Sequence, residues 1–236
     1  MTRGGGALHI YYADQRDLVG ERMAQLTTQA DREHSAAVTH PRRRAERLAG
    51  RALLRYALEQ FTGRSATSHE LRAAAEGKPE CVGGPAISLS HSGEIVVCAV
   101  AAVDAVGVDV ETRRARTFSA ATLAAQYFTP EETAWVEGDA DRFRMLWVLK
   151  EAYLKALGVG LAGGLRALEC RIAPPSIDTR VAAGAVAPHV ALYAAHGGSH
   201  LGVAWQGAAC KVAITLWTPA AAADGVGPFE LIAASA

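Results

Sequence analysis

The chain has 236 residues, half of them hydrophobic, and 24 basic residues balance 24 acidic ones to a formal net charge of zero. That length suits one large domain or two of about a hundred residues, with a sizeable core. The even balance argues for neither a nucleic-acid partner nor a membrane surface, and the longest apolar stretch, Ile95 to Val103, is about half of what crosses a bilayer.

Met1-Thr2-Arg3-Gly4-Gly5-Gly6 leads into an expected strand at Leu8–Tyr12 rather than a secretory segment. A helix is expected from about Glu21, and a second, arginine-rich helix from about Arg42 to Phe61, closed by Gly63 as a left-handed cap. Gly83-Gly84-Pro85 breaks the chain before strand-like runs at Ile87–Ser90, Ile95–Ala102 and Val106–Glu111. Thr129-Pro130-Glu131-Glu132 combines a capping threonine, a proline at the first helical position and a glutamate three residues after the cap, so a helix starts there. The next helix runs from Arg142 to Leu157 and stops at Gly158. Short strands follow around Leu168–Ile172, Val190–Tyr193, Leu201–Gln206 and Val212–Trp217. The pattern is α+β, without a run of βαβ units. Cys81, Cys98, Cys170 and Cys210 show neither zinc-ligand nor small-scaffold disulfide spacing, so free thiols in a reducing cytosol are expected.

An internal echo links Arg51-Ala52-Leu53-Leu54-Arg55 to Glu151-Ala152-Tyr153-Leu154-Lys155 at an offset of 151 − 51 = 100, which divides the chain near Asp104 into an N-terminal part, 1–104, and a C-terminal part, 105–236. Chance helical periodicity accounts for five matched positions about as well as a duplication does.

The chemistry concentrates in two motifs. In Val106-Gly107-Val108-Asp109-Val110-Glu111, a strand directs Asp109 and Glu111 to one face. In Trp147-Val148-Leu149-Lys150-Glu151-Ala152-Tyr153-Leu154-Lys155, a helix places Trp147, Glu151 and Lys155 on one stripe. Alone, the first reads as a strand end meeting solvent and the second as a surface ion pair. Together, three carboxylates and an ammonium suit one hard cation holding an anionic phosphate.

The basic residues add to this. Arg47, Arg51 and Arg55 recur every four residues, a spacing that fits a solvated face, an RNA contact or a phosphate clamp; few aromatics interleave with them, which disfavours base stacking. Gly77-Lys78-Pro79 sets a lysine on a stiffened turn, and Ser90-His91-Ser92-Gly93 sets an imidazole between two hydroxyls. His91 fits a structural strand-end histidine, a proton carrier or a phosphate ligand. A serine hydrolase is disfavoured, because neighbours on an extended segment point oppositely and no G-x-S-x-G elbow surrounds them.

Gly77-Lys78-Pro79, Ser88-Leu89-Ser90-His91-Ser92-Gly93, Gly107-Val108-Asp109-Val110-Glu111 and Trp147-x-x-Lys150-Glu151-Ala152-x-x-Lys155-Ala156-Leu157-Gly158-x-Gly160-Leu161 resemble the 4′-phosphopantetheinyl transferases in order and spacing. The Sfp-type is the better match, with Leu48-Ala49-Gly50-Arg51-Ala52-Leu53-Leu54-Arg55 similar to its N-terminal helix. The resemblance runs from about residue 42 to 161. It implies an α+β pseudo-dimer of two similar halves, the first for the nucleotide of coenzyme A and the second for the metal and carrier protein, with coenzyme A in the cleft between them. The implied reaction transfers the phosphopantetheine arm of coenzyme A to a serine of an acyl or peptidyl carrier protein and releases adenosine 3′,5′-bisphosphate, activating polyketide, nonribosomal peptide or fatty acid synthesis.

By the same resemblance Asp109, Glu111 and Glu151 would hold Mg²⁺, with Mn²⁺ as the alternative. Lys155 would neutralise the leaving bisphosphate, and Glu151 or a metal-bound water would be the base. Lys78, Ser90 and His91 would contact the nucleotide, and His91, Arg47 and Arg51 the 3′-phosphate. The chain departs from many relatives upstream of the arginine-rich helix, where Ala36 and Thr39 stand near their basic positions, and at Ala52, where some carry a hydroxyl. The carrier would dock along Thr112 to Phe128, on Phe118, Leu123 and Tyr127 unless these are core, steered by Arg113, Arg114 and Arg116. A cytoplasmic monomer that binds neither nucleic acid nor membrane is expected.

Overall fold

The computed structural model describes residues 6–18, 20–73, 77–113, 119–161, 164–218 and 229–235. In chain order the elements are β1 (Ala7–Asp14), α1 (Gly20–Leu26), α2 (Gln29–Ala36), α3 (Pro41–Thr62), β2 (Leu71–Ala73), β3 (Pro79–Cys81), β4 (Ala86–Ser92), β5 (Ile95–Ala101) and β6 (Ala105–Glu111). There follow α4 (Ala120–Tyr127), α5 (Pro130–Val136), α6 (Ala140–Leu157), β7 (Leu168–Ala173), β8 (Ser176–Val181), β9 (His189–Ala195), β10 (Ser199–Gln206), β11 (Lys211–Trp217) and β12 (Glu230–Ala234). The fold is α+β. No described helix is long and apolar enough to cross a membrane.

The described residues form two compact units, 6–103 with 208–218, and 104–207 with 229–235. The sequence expectation leaves everything after residue 104 in the second part. Strand β11 instead runs parallel to β1, with Tyr11 opposite Thr215, and so completes the first unit's sheet.

In the first unit the sheet order is β11-β1-β5-β4. Helix α3 lies against it, burying Leu53, Leu54, Ala57 and Leu58 with Tyr11, Val96, Cys98 and Trp217. Pro41 opens α3, and Gly63 ends it at φ 71°, a conformation that costs glycine little. Gly50 brings the helix close to β4, since a Cβ there would stand 2.8 Å from Leu89 Cδ2. Where one helix is expected from Glu21 there are two. Thr28 accepts from Asp31 N and Asp31 accepts from Thr28 N, a capping box that starts α2 afresh.

In the second unit the sheet order is β6-β10-β9-β12-β8-β7. Helix α6 covers β6 and β10, burying Leu146, Leu149 and Ala152 with Phe128, Leu192 and Ala204. It approaches closely because two strand residues lack side chains. A Cβ on Gly107 would overlap the carbonyl oxygen of Ala152 and stand 2.5 Å from Ala156 N, and one on Gly202 would overlap the carbonyl of Val148. The Thr129 capping box forms as expected, and Glu132 does more than cap. Its Oε1 lies 2.8 Å from Lys150 Nζ and accepts from Cys170 N, while Lys150 donates to the carbonyls of Leu165 and Leu168. Lys150 is fully buried, so this pair ties α5, α6 and β7 together.

Candidate active site

The carboxylate cluster lies wholly within the second unit. Along β6, Gly107, Asp109 and Glu111 share one face, opposite Ala204, Gly202 and His200 of β10. The close approach at Gly107 and Gly202 shows that this is the face under α6. Trp147, Glu151 and Lys155 are half-buried along one stripe of that helix. The Lys155 ammonium donates to Asp109 Oδ1 at 2.6 Å, and Asp109 is buried, so the ion pair forms in partial shelter from water. Trp147 stacks on Phe143, with centroids 5.5 Å apart, and meets Tyr127 edge-on, which ties that end of the stripe to the core.

Burial pushes the Glu151 carboxyl above its ordinary pKa; the charge of Asp109 pushes it further, Lys155 opposes, and Glu111 adds a smaller push. All three acids therefore act in one field, as the two motifs predict. Carboxylate oxygens are the hard donors that Mg²⁺ or Mn²⁺ prefers, and like-charge repulsion at Glu151 is what such a cation would relieve, so the donor chemistry fits. Among the described residues no group of three or more His, Cys, Asp or Glu is already arranged to hold a metal ion. The positive charge at Asp109 Oδ1 comes from Lys155.

The first unit holds the basic candidates, and it separates them. On β4, Ser90 and Ser92 are buried while His91 between them points outward, so the serines and the imidazole do not face one another. His91 Nδ1 lies 4.0 Å from Glu46 Oε2, and Glu46 also accepts from Arg42 Nε. Burial lowers the pKa of Lys78, opposed by Glu80. The arginine stripe is not uniform. Arg47 is exposed, whereas Arg55 is buried in an ion pair with Asp31 and donates to the carbonyls of Ala66 and His69. Arg55 therefore ties α3 to α2 and the turn after it. Arg51 is also buried and faces a cavity bordered by α2.

Of the proposed docking residues, Leu123 and Tyr127 are partly buried against the second unit's core, the plainer of the two expectations. Arg113 is exposed; Arg114, Arg116 and Phe118 lie outside the described residues. The sequence reading passes over Lys150 and Glu132, whose lysine-to-carboxylate pairing across 18 positions has no local signal, and His200, buried opposite Glu111.

Residues 105–204 fit the sequence profile of the 4′-phosphopantetheinyl transferase superfamily. The 4′-phosphopantetheinyl transferase HetI of Nostoc sp. is 32% identical over 144 residues, 57% of this chain and 60% of that protein. The 4′-phosphopantetheinyl transferase of Bacillus subtilis is 28% identical over 170 residues, 68% of this chain and 74% of that one. The 4′-phosphopantetheinyl transferase gsp of Aneurinibacillus migulanus is 35% identical over 79 residues, 31% of this chain and 32% of its own length. The chain thus spans about three fifths of the Nostoc relative. The family resembled by the motifs is thus the one whose profile residues 105–204 match, and the one these relatives are named for.

Proposed function

We propose that the chain is a Mg²⁺-dependent 4′-phosphopantetheinyl transferase of the Sfp type, acting as a cytosolic monomer on acyl or peptidyl carrier proteins. The observation that carries this reading is the Lys155–Asp109 pair beside a Glu151 whose affinity for a proton is raised.

In the reaction, the carrier serine oxygen bonds to the phosphorus that bears pantetheine. The bond from that phosphorus to the bridging pyrophosphate oxygen breaks, and its electron pair leaves with adenosine 3′,5′-bisphosphate. The serine proton needs an acceptor, and Glu151, or a water that it orients, is the proposed base. The Lys155 ammonium is held beside the same acids and supplies positive charge where negative charge grows on the leaving group. Asp109, Glu111 and Glu151 would hold Mg²⁺, or Mn²⁺, which when bound supplies charge neutralisation at the pyrophosphate. Positioning and charge neutralisation carry most of the acceleration in phosphoryl transfer, so a covalent nucleophile on the enzyme is unnecessary. In the first unit Lys78, Ser90, His91 and Arg47 are the proposed contacts to the nucleotide end of coenzyme A. An acidic carrier surface would be steered by exposed Arg113 and its neighbours in sequence.

The test is intact-mass analysis of a panel of apo-carrier proteins after incubation with coenzyme A and Mg²⁺. At least one should gain the mass of phosphopantetheine, and Asp109→Ala should abolish the gain. A panel in which no carrier gains mass overturns the reading. Rapid release of bisphosphate without any carrier would point instead to a phosphohydrolase.

A further inference from the structure

We infer that the first unit contains a second anion site, in which Arg51 binds a phosphate-class oxyanion in a cavity among α2, α3 and β2, separate from Lys78, Ser90 and His91.

The cavity has a volume of about 410 Å³ and is lined by Thr28, Asp31, His34, Arg51, Arg55 and His69, among others. Most of its polar groups are already engaged. Asp31 pairs with Arg55 and accepts from the Thr28 hydroxyl, the His69 ring meets the Thr62 hydroxyl, and Glu70 pairs with Arg72. Arg51 differs. It is 7% exposed, and its Nη1 makes no hydrogen bond with any described residue. A buried cationic donor without a partner is costly, and the cost disappears if an anion accepts from it.

The surrounding charge has the right sign. Burial lowers the pKa of Arg51; Asp31 opposes this, while Arg55 and Arg47 add to the lowering. His34, on α2, is likewise held below its ordinary value by burial and then by Arg51 and Arg47, with Asp31 opposing. With Asp31 committed to Arg55, the charge of Arg51 is left unmatched beside the imidazole of His34. A buried guanidinium and an imidazole that can take up a proton suit an oxyanion, and a guanidinium fork matches two oxygens of a tetrahedral phosphate. The helix separates this place from His91. Glu46, which approaches His91, precedes Arg51 by five residues, about 140° around the axis, so one anion cannot use both.

The site is tested on the full chain by following the His34 ring by NMR across pH, with inorganic phosphate titrated against chloride at constant ionic strength. Phosphate should raise the His34 pKa saturably, by about half a pH unit or more, and should raise the melting temperature with the same midpoint. Arg51→Met should remove both responses. Exchanging an unpartnered buried cation for an apolar chain of similar length is also expected to leave the fold at least as stable. If that variant does not fold, His34→Gln, at a residue lining the same cavity, should weaken the phosphate-dependent rise in melting temperature severalfold. Saturating coenzyme A should leave the phosphate midpoint unchanged; competition would mean that the cavity takes a phosphate of coenzyme A itself and would overturn the separate site. An unshifted His34 in the parent protein, or a shift that persists in Arg51→Met, would overturn it too. None of these readouts depends on transferase activity, so the two readings fail independently.

Discussion

In α3, Arg55 is buried against a single carboxylate, Asp31, and also donates to two backbone carbonyls and the Thr28 hydroxyl; in α6, Lys155 meets Asp109 in a cluster that also holds Glu111 and Glu151. The helices carry their charges at matching places, Arg51 and Arg55 in one, Glu151 and Lys155 in the other, at an offset of 100. What separates them is charge balance. Burial alone would raise the pKa of Asp31, but hydrogen bonds from Arg55 and Thr28 outweigh it and hold the carboxyl low. At Glu151, burial and the neighbouring acids outweigh Lys155 and hold the carboxyl high. The closed pair stabilises the fold, whereas the unbalanced cluster costs stability that a bound cation could recover. Such local cost is common where sites are built for function rather than for stability.

Removing one partner of a balanced buried pair should have the largest effect. Asp31→Ala leaves Arg55 charged inside the first unit and should cost about 3–5 kcal/mol, seen as a large fall in the denaturant midpoint. Glu132→Ala should do the same in the second unit, where it strands the fully buried Lys150 and removes a helix cap as well. If either variant unfolds within about 1 kcal/mol of the parent, that pair is not what ties its elements together.

Next come the glycines that set the helix-to-sheet distances. Gly107→Ala places a methyl against the Ala152 carbonyl and Ala156 N, rigid backbone that cannot yield unless α6 lifts. It should cost about 1–3 kcal/mol and should also move Glu151 and Lys155 away from Asp109, abolishing carrier modification. Gly50→Ala meets only the end of the Leu89 side chain, which can turn aside, and it gains up to about 1 kcal/mol of helix propensity. Its net effect should stay within about 1 kcal/mol of zero. Equal losses for the two variants would mean that the strand glycines do not set the site.

Much of this was legible from local pattern. The left-handed caps at Gly63 and Gly158, the Thr129 start and the shared face of Asp109 and Glu111 all follow from residues within a turn or a strand of each other. What escaped depends on distant partners. Arg47, Arg51 and Arg55 read as one stripe, and only the approach of α2, with Asp31 24 positions before Arg55, divides it into an exposed residue and two buried ones. The signal for α2 was present as Thr28-x-x-Asp31, a capping box with aspartate in place of the commoner glutamate. Strand β8 alternates inward Ile177 with exposed Ser176 and Asp178, too polar to stand out, and the return of β11 to β1 is a long-range pairing that no local run announces.

A smaller effect is expected from pH. His9, His34, His69 and His200 all have pKa values lowered chiefly by burial, so the unfolded chain binds protons more readily than the folded one near neutrality. Their contribution to stability is complete above about pH 6.5 and is lost as pH falls through their folded values. The melting temperature should therefore begin to drop below about pH 6.5, well before the carboxylates titrate. A flat profile down to about pH 5 would show that these rings are not sheltered in the folded chain.

Glu151→Gln should change stability least and in the opposite direction. A carboxyl whose folded pKa lies above its unfolded value gives up its proton more easily once the chain unfolds. Deprotonation therefore favours the unfolded state, and the penalty is fully developed once pH exceeds the folded value. An uncharged amide of the same shape removes that penalty, so at neutral pH the variant should melt slightly above the parent when both are measured without divalent cations. Added Mg²⁺ should then stabilise the parent more than the variant, because the parent has repulsion for the cation to relieve. No equivalent gain is expected from Asp31→Asn, whose carboxylate is held low by Arg55 and is worth more charged than neutral. If Glu151→Gln is destabilising in the absence of Mg²⁺, or if Mg²⁺ stabilises both proteins equally, then Lys155 already balances the cluster, and the contrast between the two helices lies in their partners alone.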